Sequence, residues 1–187
     1  RPMLPRKLRL GLNALLPPDV AALSCERAAP DFHARFSARR KTYRYRILNG
    51  PARRPLLRGQ AYHFPQTLDV ARMDAAAKTL VGTHDFRAFA KESARKKNCV
   101  RTVFAASATA ETLDAETRLV AVELTGSGFL YNMVRIVTGT LAEIGLGRRP
   151  VDAFGPLLAG VRRADAGFTV PPHGLCLVSV DYDAPRP

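Results

Sequence analysis

An α+β fold, with helices packed on a largely antiparallel sheet, is what this sequence predicts, and three observations carry the prediction. "KTYRYRILN" (41–49) alternates cleanly, with Lys41, Tyr43, Tyr45 and Ile47 on one face and Thr42, Arg44 and Arg46 on the other. "VRTVFAASATA" and "RLVAVELTG" flank the acidic turn "ETLDAET", the arrangement of a hairpin. Helical periodicity appears over 69–81 and 130–144, so strands and helices are mixed along one chain.

The elements follow in order. "LRLGLNALLPPDV" (8–20) reads as a short helix stopped by Pro17 and Pro18. "AALSCERAA" reads as a strand, then comes the strand at 41–49, then the loop "GPARRPLLRG". Asp69 to Val81 forms an amphipathic helix closed by Gly82. The two hairpin strands lead into a helix from Leu130 to Ile144, with Met133, Val137 and Ile144 on its apolar side. A shorter helix over 151–161 begins after Pro150. "LCLVSVDY" (175–182) is the final strand.

The 187 residues carry 29 Lys and Arg against 16 Asp and Glu, a net charge of +13. Such an excess points to a polyanionic partner, above all nucleic acid. The charge is clustered: from Phe32 to Leu68 there is no acid but nine basic residues, Arg35, Arg39, Arg40, Lys41, Arg44, Arg46, Arg53, Arg54 and Arg58. "KESARKKNCVR" (91–101) is a second block with five basic residues and one acid. Together they suit a surface that tracks phosphates. Cys25, Cys99 and Cys176 are odd in number and far apart, which points to reduced thiols and a cytoplasmic setting. No apolar run reaches membrane-spanning length. His33, His63, His84 and His173 are too scattered to propose a metal site or a catalytic triad.

Two residues stay open on pattern alone. Tyr43, set among arginines, offers a flat face for a base, yet alternating strand tyrosines are commonly core. Arg135 is the only charge between Glu123 and Glu143 and shares its helix side with Gly139 and Ala142. It either reaches solvent or is fixed by a carboxylate or phosphate, and the small neighbours would let a backbone or a substrate come close.

Read together, "LGLNALLPPDV", "DFHARFSARRKTYRYRI", "GTHDFRAFA", "GFLYNMVRIVTGTL" and "PPHGLCLVSVDY" resemble the tRNA pseudouridine synthase A family across essentially the whole chain. The resemblance implies two similar α+β halves sharing a continuous sheet around a basic cleft. It implies a homodimer gripping tRNA, isomerisation of uridine to pseudouridine in the anticodon arm, and no metal or organic cofactor. A base inside a stem must first leave its stack, which calls for an aromatic partner and a cationic cradle. Tyr43 matches the tyrosine that stacks on the target base, and Arg135 the arginine that pairs with the nucleophilic aspartate. Arg35, Arg39, Arg40, Lys41 and Arg44 are the expected RNA contacts.

The family's nucleophile lies in a G-R-T-D-A-G motif that precedes the "YRY" strand. "RADAG" (162–167 with its leading Arg162) shares part of it, but Asp165 stands 122 residues after Tyr43 and is followed by Phe168 and Thr169 instead of the expected sequence. Asp165 is therefore expected to be a look-alike. The match starts just past the motif, so the first family strand, the first helix and the nucleophile are expected upstream of Arg1. On that reading residues 1–30 are the remnant of an N-terminal half and 31–187 the C-terminal half. The expected function is a tRNA pseudouridine synthase whose nucleophile this stretch lacks; the alternative is a tRNA-binding module of the same fold without chemistry.

Overall fold

Strand β1 (Arg40–Asn49) organises the sheet, because its alternation turns Tyr43, Tyr45 and Ile47 to one side. Tyr45 and Ile47 are wholly buried, whereas Arg44 and Arg46 on the opposite face remain half-buried. In the computed structural model, which describes residues 3–90, 98–159 and 162–182, the chain divides into two units, Arg1–Ser37 and Ala38–Pro187.

In the larger unit β1 runs antiparallel to β5 (Arg118–Gly126) along its whole length, from Lys41 opposite Gly126 to Asn49 opposite Arg118. Two strands share its other edge. β6 (Leu175–Asp181) pairs antiparallel with Arg40–Tyr45, and β2 (Tyr62–Phe64) pairs parallel with residues 47–49. β4 (Val100–Thr112) lies beyond β5, and β3 (Gly82–Asp85) closes the far edge. The sheet order is β2-β1-β5-β4-β3, with β6 joined to β1. Among the described residues only the β1–β2 pair is parallel, as the alternating pattern of the long strands implied.

Helix α2 (Val70–Lys78) packs on β4, and α3 (Met133–Gly145) covers the same face. Asp69 caps α2 by accepting the Arg72 N–H at 3.0 Å. Met73, Ala76, Phe86, Phe89, Val122, Leu124, Ile136, Val137 and Leu141 form the core between helices and sheet. α4 (Phe154–Leu158) is one short turn over Phe89.

Several sequence expectations change in detail. The first helix, α1 (Pro5–Leu15), starts at a proline in the first turn and ends before Pro17–Pro18. Residues 21–29 form no strand; instead the Asn13 side chain both donates to and accepts from the Ala22 backbone, and Arg9 donates to Leu23 O. A short apolar run becomes a strand only where a partner edge exists. Gly82, at φ +123, does not close α2, which stops at Lys78; it opens β3. β2 is too short for a periodicity signal, and buried Asn49 fixes it through bonds to Phe64 O, Gln66 O and Leu68 N. The helix expected over 151–161 shortens to α4, and residues 160–161 and the basic stretch 91–97 lie outside the described residues.

The tightest contact in this unit joins α3 to the segment before β6. A Cβ on Gly139 would stand 1.9 Å from Phe168 O, and one on Gly167 would stand 2.6 Å from the Thr140 Cα. Thr140 Oγ1 donates to Ile136 O at 2.9 Å and accepts the Gly167 N–H at 3.0 Å, so the segment lies directly on helix backbone. Gly139→Ala is expected to destabilise the protein by about 1–3 kcal/mol or more through overpacking. A calorimetric melt should show it as a loss of roughly 2–4 °C per kcal/mol, and an unchanged melt would mean that the segment is not seated on α3.

Candidate active site

Arg135 stands in the first turn of α3, where the helix meets the segment 165–171. The small residue on its side, Gly139, admits a backbone, which is one of the two outcomes the sequence left open. That backbone then binds the arginine. Arg135 Nε donates to Val170 O at 2.7 Å, and Val170 N donates to Arg135 O at 3.4 Å. Arg135 Nη1 donates to Asn132 Oδ1 at 2.9 Å. Two points on a planar guanidinium fix its plane. Nη2 has no partner among the described residues, and no described carboxylate lies within ion-pairing reach of Arg135.

The two tyrosines of "YRY" point to the same face of β1 but differ in state. Tyr45 is fully buried, and its hydroxyl donates to Pro171 O at 2.6 Å, one residue beyond the carbonyl that binds Arg135. Burial pushes the Tyr45 hydroxyl well above its usual range, an effect that the nearby Arg135 charge opposes. It stays a protonated donor that ties β1 to the segment. Tyr43 is half-buried, stands between Leu124 and Leu177 in register, and meets Phe129 edge-to-face at 5.3 Å and 86°. Its hydroxyl has no partner among the described residues. Tyr43 is thus the tyrosine with a hydroxyl to offer.

The expected RNA contacts separate. In the smaller unit Arg35 sits on a turn held by His33, whose ring accepts the Arg35 N–H while the Phe36 ring lies tilted against it at 4.4 Å. The Arg35 guanidinium lies 5.5 Å from the exposed Phe36 ring, a flat cationic pair open to solvent. In the larger unit Arg40 lies 4.5 Å over the Phe104 ring, Arg39 is exposed and Lys41 is half-buried. Arg44 faces away from Tyr43 and is held by Glu123 through Nε and Nη2, both at 2.8 Å. Its charge is largely matched within the sheet.

Asp165 is engaged in structure. Its Oδ2 accepts the Arg162 N–H at 2.9 Å, its Oδ1 lies 3.5 Å from Arg162 Nη2, and its carbonyl accepts from Arg149 Nη1. Gly167 in "DAG" is required by the approach to Thr140, so the likeness to the nucleophile motif has a packing cause. Pattern reading missed Tyr45 and Asn132 as parts of the site. For Tyr45 a signal was there, a second tyrosine two residues on; for Asn132 there was none, because the helix expected from Leu130 enclosed it.

The sequence profile of the tRNA pseudouridine synthase family matches residues 76–183. The tRNA pseudouridine synthase A of Geotalea uraniireducens is 46% identical over 172 residues, covering 92% of this chain and 68% of that protein. The enzyme of that name from Shouchella clausii is 43% identical over 181 residues, covering 97% of this chain and 67% of the relative. That from Chloroflexus aurantiacus is 47% identical over 92% of this chain and 62% of its own length. The chain therefore spans about two thirds of the length of these relatives.

The two tyrosines should respond differently to the same deletion of a hydroxyl. Tyr45→Phe leaves Pro171 O without its donor and is expected to cost about 1–3 kcal/mol of stability. Tyr43→Phe should leave the melt within about 0.5 kcal/mol of wild type. Equal losses in a denaturant titration would refute this division.

Proposed function

This chain belongs to the tRNA pseudouridine synthase family, and we propose that it forms the tyrosine- and arginine-bearing part of an enzyme that isomerises uridine to pseudouridine in the anticodon arm of tRNA. One observation carries the reading: Arg135 is held in plane by neutral acceptors, with Nη2 unengaged, on the side of the sheet that also presents the open hydroxyl of Tyr43. In this role Nη2 and the remaining Nη1 hydrogen receive the nucleophilic aspartate, keeping it ionised and aimed. That carboxylate comes from outside the described residues, since no described acid faces Arg135. Tyr43, backed by Phe129, stacks on the extruded base, and its hydroxyl is placed to assist removal of the C5 proton.

Arg39, Arg40 and Lys41 in the larger unit, and Arg35 in the smaller one, supply cations for tRNA phosphates on this reading. Exposure supports Arg39 in this role and the aromatic support under Arg40 favours a fixed cation. The enzyme works in the cytoplasm as a homodimer on this reading; among the described residues no helix is long and apolar enough to cross a membrane.

Two measurements on the full-length protein test the reading. Arg135→Lys should leave tRNA affinity nearly unchanged while turnover in a tritium-release assay falls by roughly a hundred-fold or more, because a point charge cannot grip a carboxylate with two bonds. Asp165→Ala should keep wild-type turnover. Affinity and turnover falling together in Arg135→Lys would make it a phosphate contact, and loss of turnover in Asp165→Ala would make that residue the nucleophile. Separately, binding should weaken steeply as salt rises, and replacing Arg39, Arg40 and Lys41 with glutamate should flatten the slope by about one unit per lost phosphate contact. An unchanged slope would move the RNA path elsewhere.

A further inference from the structure

Asn132 is placed abnormally in two ways. It occupies the left-handed region, φ 65 and ψ 2, as the one non-glycine residue with positive φ among those described. It also stands at the N-cap of α3, where an asparagine side chain ordinarily accepts a backbone N–H from the first turn, yet it makes no such bond. The acceptor is turned instead to Arg135 Nη1, at 2.9 Å. A helix start that forgoes its cap and keeps a strained backbone needs a compensating role at a functional site.

We infer that Asn132 is a positioning residue: it fixes the plane of the Arg135 guanidinium so that Nη2 meets the nucleophilic carboxylate. The inference rests on the role proposed above for Arg135. Val170 O alone fixes one point, Nε, and would let the guanidinium swing about that bond. The amide oxygen of Asn132 supplies the second point. It is also neutral, so it orients the cation without cancelling its charge.

Two substitutions in the full-length enzyme test this, with Arg135→Lys as reference. Glycine accepts positive φ without strain, so Asn132→Gly should keep the wild-type melting temperature and the KM for tRNA. Its kcat should fall roughly ten- to hundred-fold, the loss that about 1 Å of misplacement causes. Asn132→Asp keeps the shape and tolerates the backbone, but sets a carboxylate against Nη1 and should depress kcat further with KM unchanged. Wild-type kcat in either variant, while Arg135→Lys is inactive, overturns the inference and leaves the role of Arg135 standing. A raised KM at normal kcat would make Asn132 an RNA contact and overturn it as well. Should Arg135→Lys itself be fully active, the role of Arg135 fails and the inference fails with it.

Discussion

The contact of two backbones at Gly139 and Gly167 is the constraint on which the rest of the site depends. With no side chain on either, the segment 165–171 lies against α3 at a distance that would bury a Cβ inside a carbonyl oxygen. Helix backbone is rigid, so the segment inherits a fixed height above the sheet. From that height two successive carbonyls become acceptors: Val170 O for Arg135 on the helix and Pro171 O for Tyr45 on β1. Helix, segment and central strand are thereby locked to one another through three short polar contacts and one bare backbone approach. Gly174 extends the same logic, since a Cβ there would stand 2.8 Å from the Tyr45 ring. The hydroxyl of Tyr45 can reach its carbonyl only because the turn gives way to the ring.

From this lock follows a division of work within "YRY". The strand places both tyrosines on the helix-covered face and the arginine between them on the other. Tyr45, deeper under α3, is consumed by the lock and is kept protonated by burial. Tyr43, two residues nearer the strand start, is half-buried at the margin of the core and meets Phe129 edge-to-face. Arg44 crosses to Glu123 across the β1–β5 pair, so the arginine next to Tyr43 in sequence lies on the opposite face of the sheet and meets a carboxylate there. Proximity along a strand is not proximity in space when side chains alternate.

This explains what could be read from the sequence and what could not. β1, β4, β5, β6 and the two main helices carry their own periodicity, so they were legible as elements, and the α+β class followed. The run 21–29 carries apolar character without a partner edge, and no local pattern distinguishes that from a strand. β2 and β3 are three and four residues long, below the length at which alternation means anything. The small residues beside Arg135 were visible, but whether they admitted a backbone or a substrate depended on a segment some thirty residues away. The place of Asn132 was hidden more deeply: the periodicity put it inside a helix from Leu130, whereas α3 starts at Met133 and Asn132 stands before it with a positive φ and no cap bond.

The character of the partners around Arg135 is the final link to function. Arg44, Arg87 and Arg149 each meet a carboxylate, Glu123, Asp85 and Glu143 respectively, so their charges are matched within the protein. Arg135 is oriented as firmly, but by a backbone carbonyl and an amide oxygen. Neutral acceptors satisfy N–H groups and define direction while leaving the full positive charge in place. Within the described residues this half-buried cation has no carboxylate to match its charge. The arrangement becomes favourable once an anion arrives on the open side, and the attraction then needs no reorganisation of the arginine. The guanidinium is therefore held in direction by neutral acceptors, with no described carboxylate beside it to match its charge.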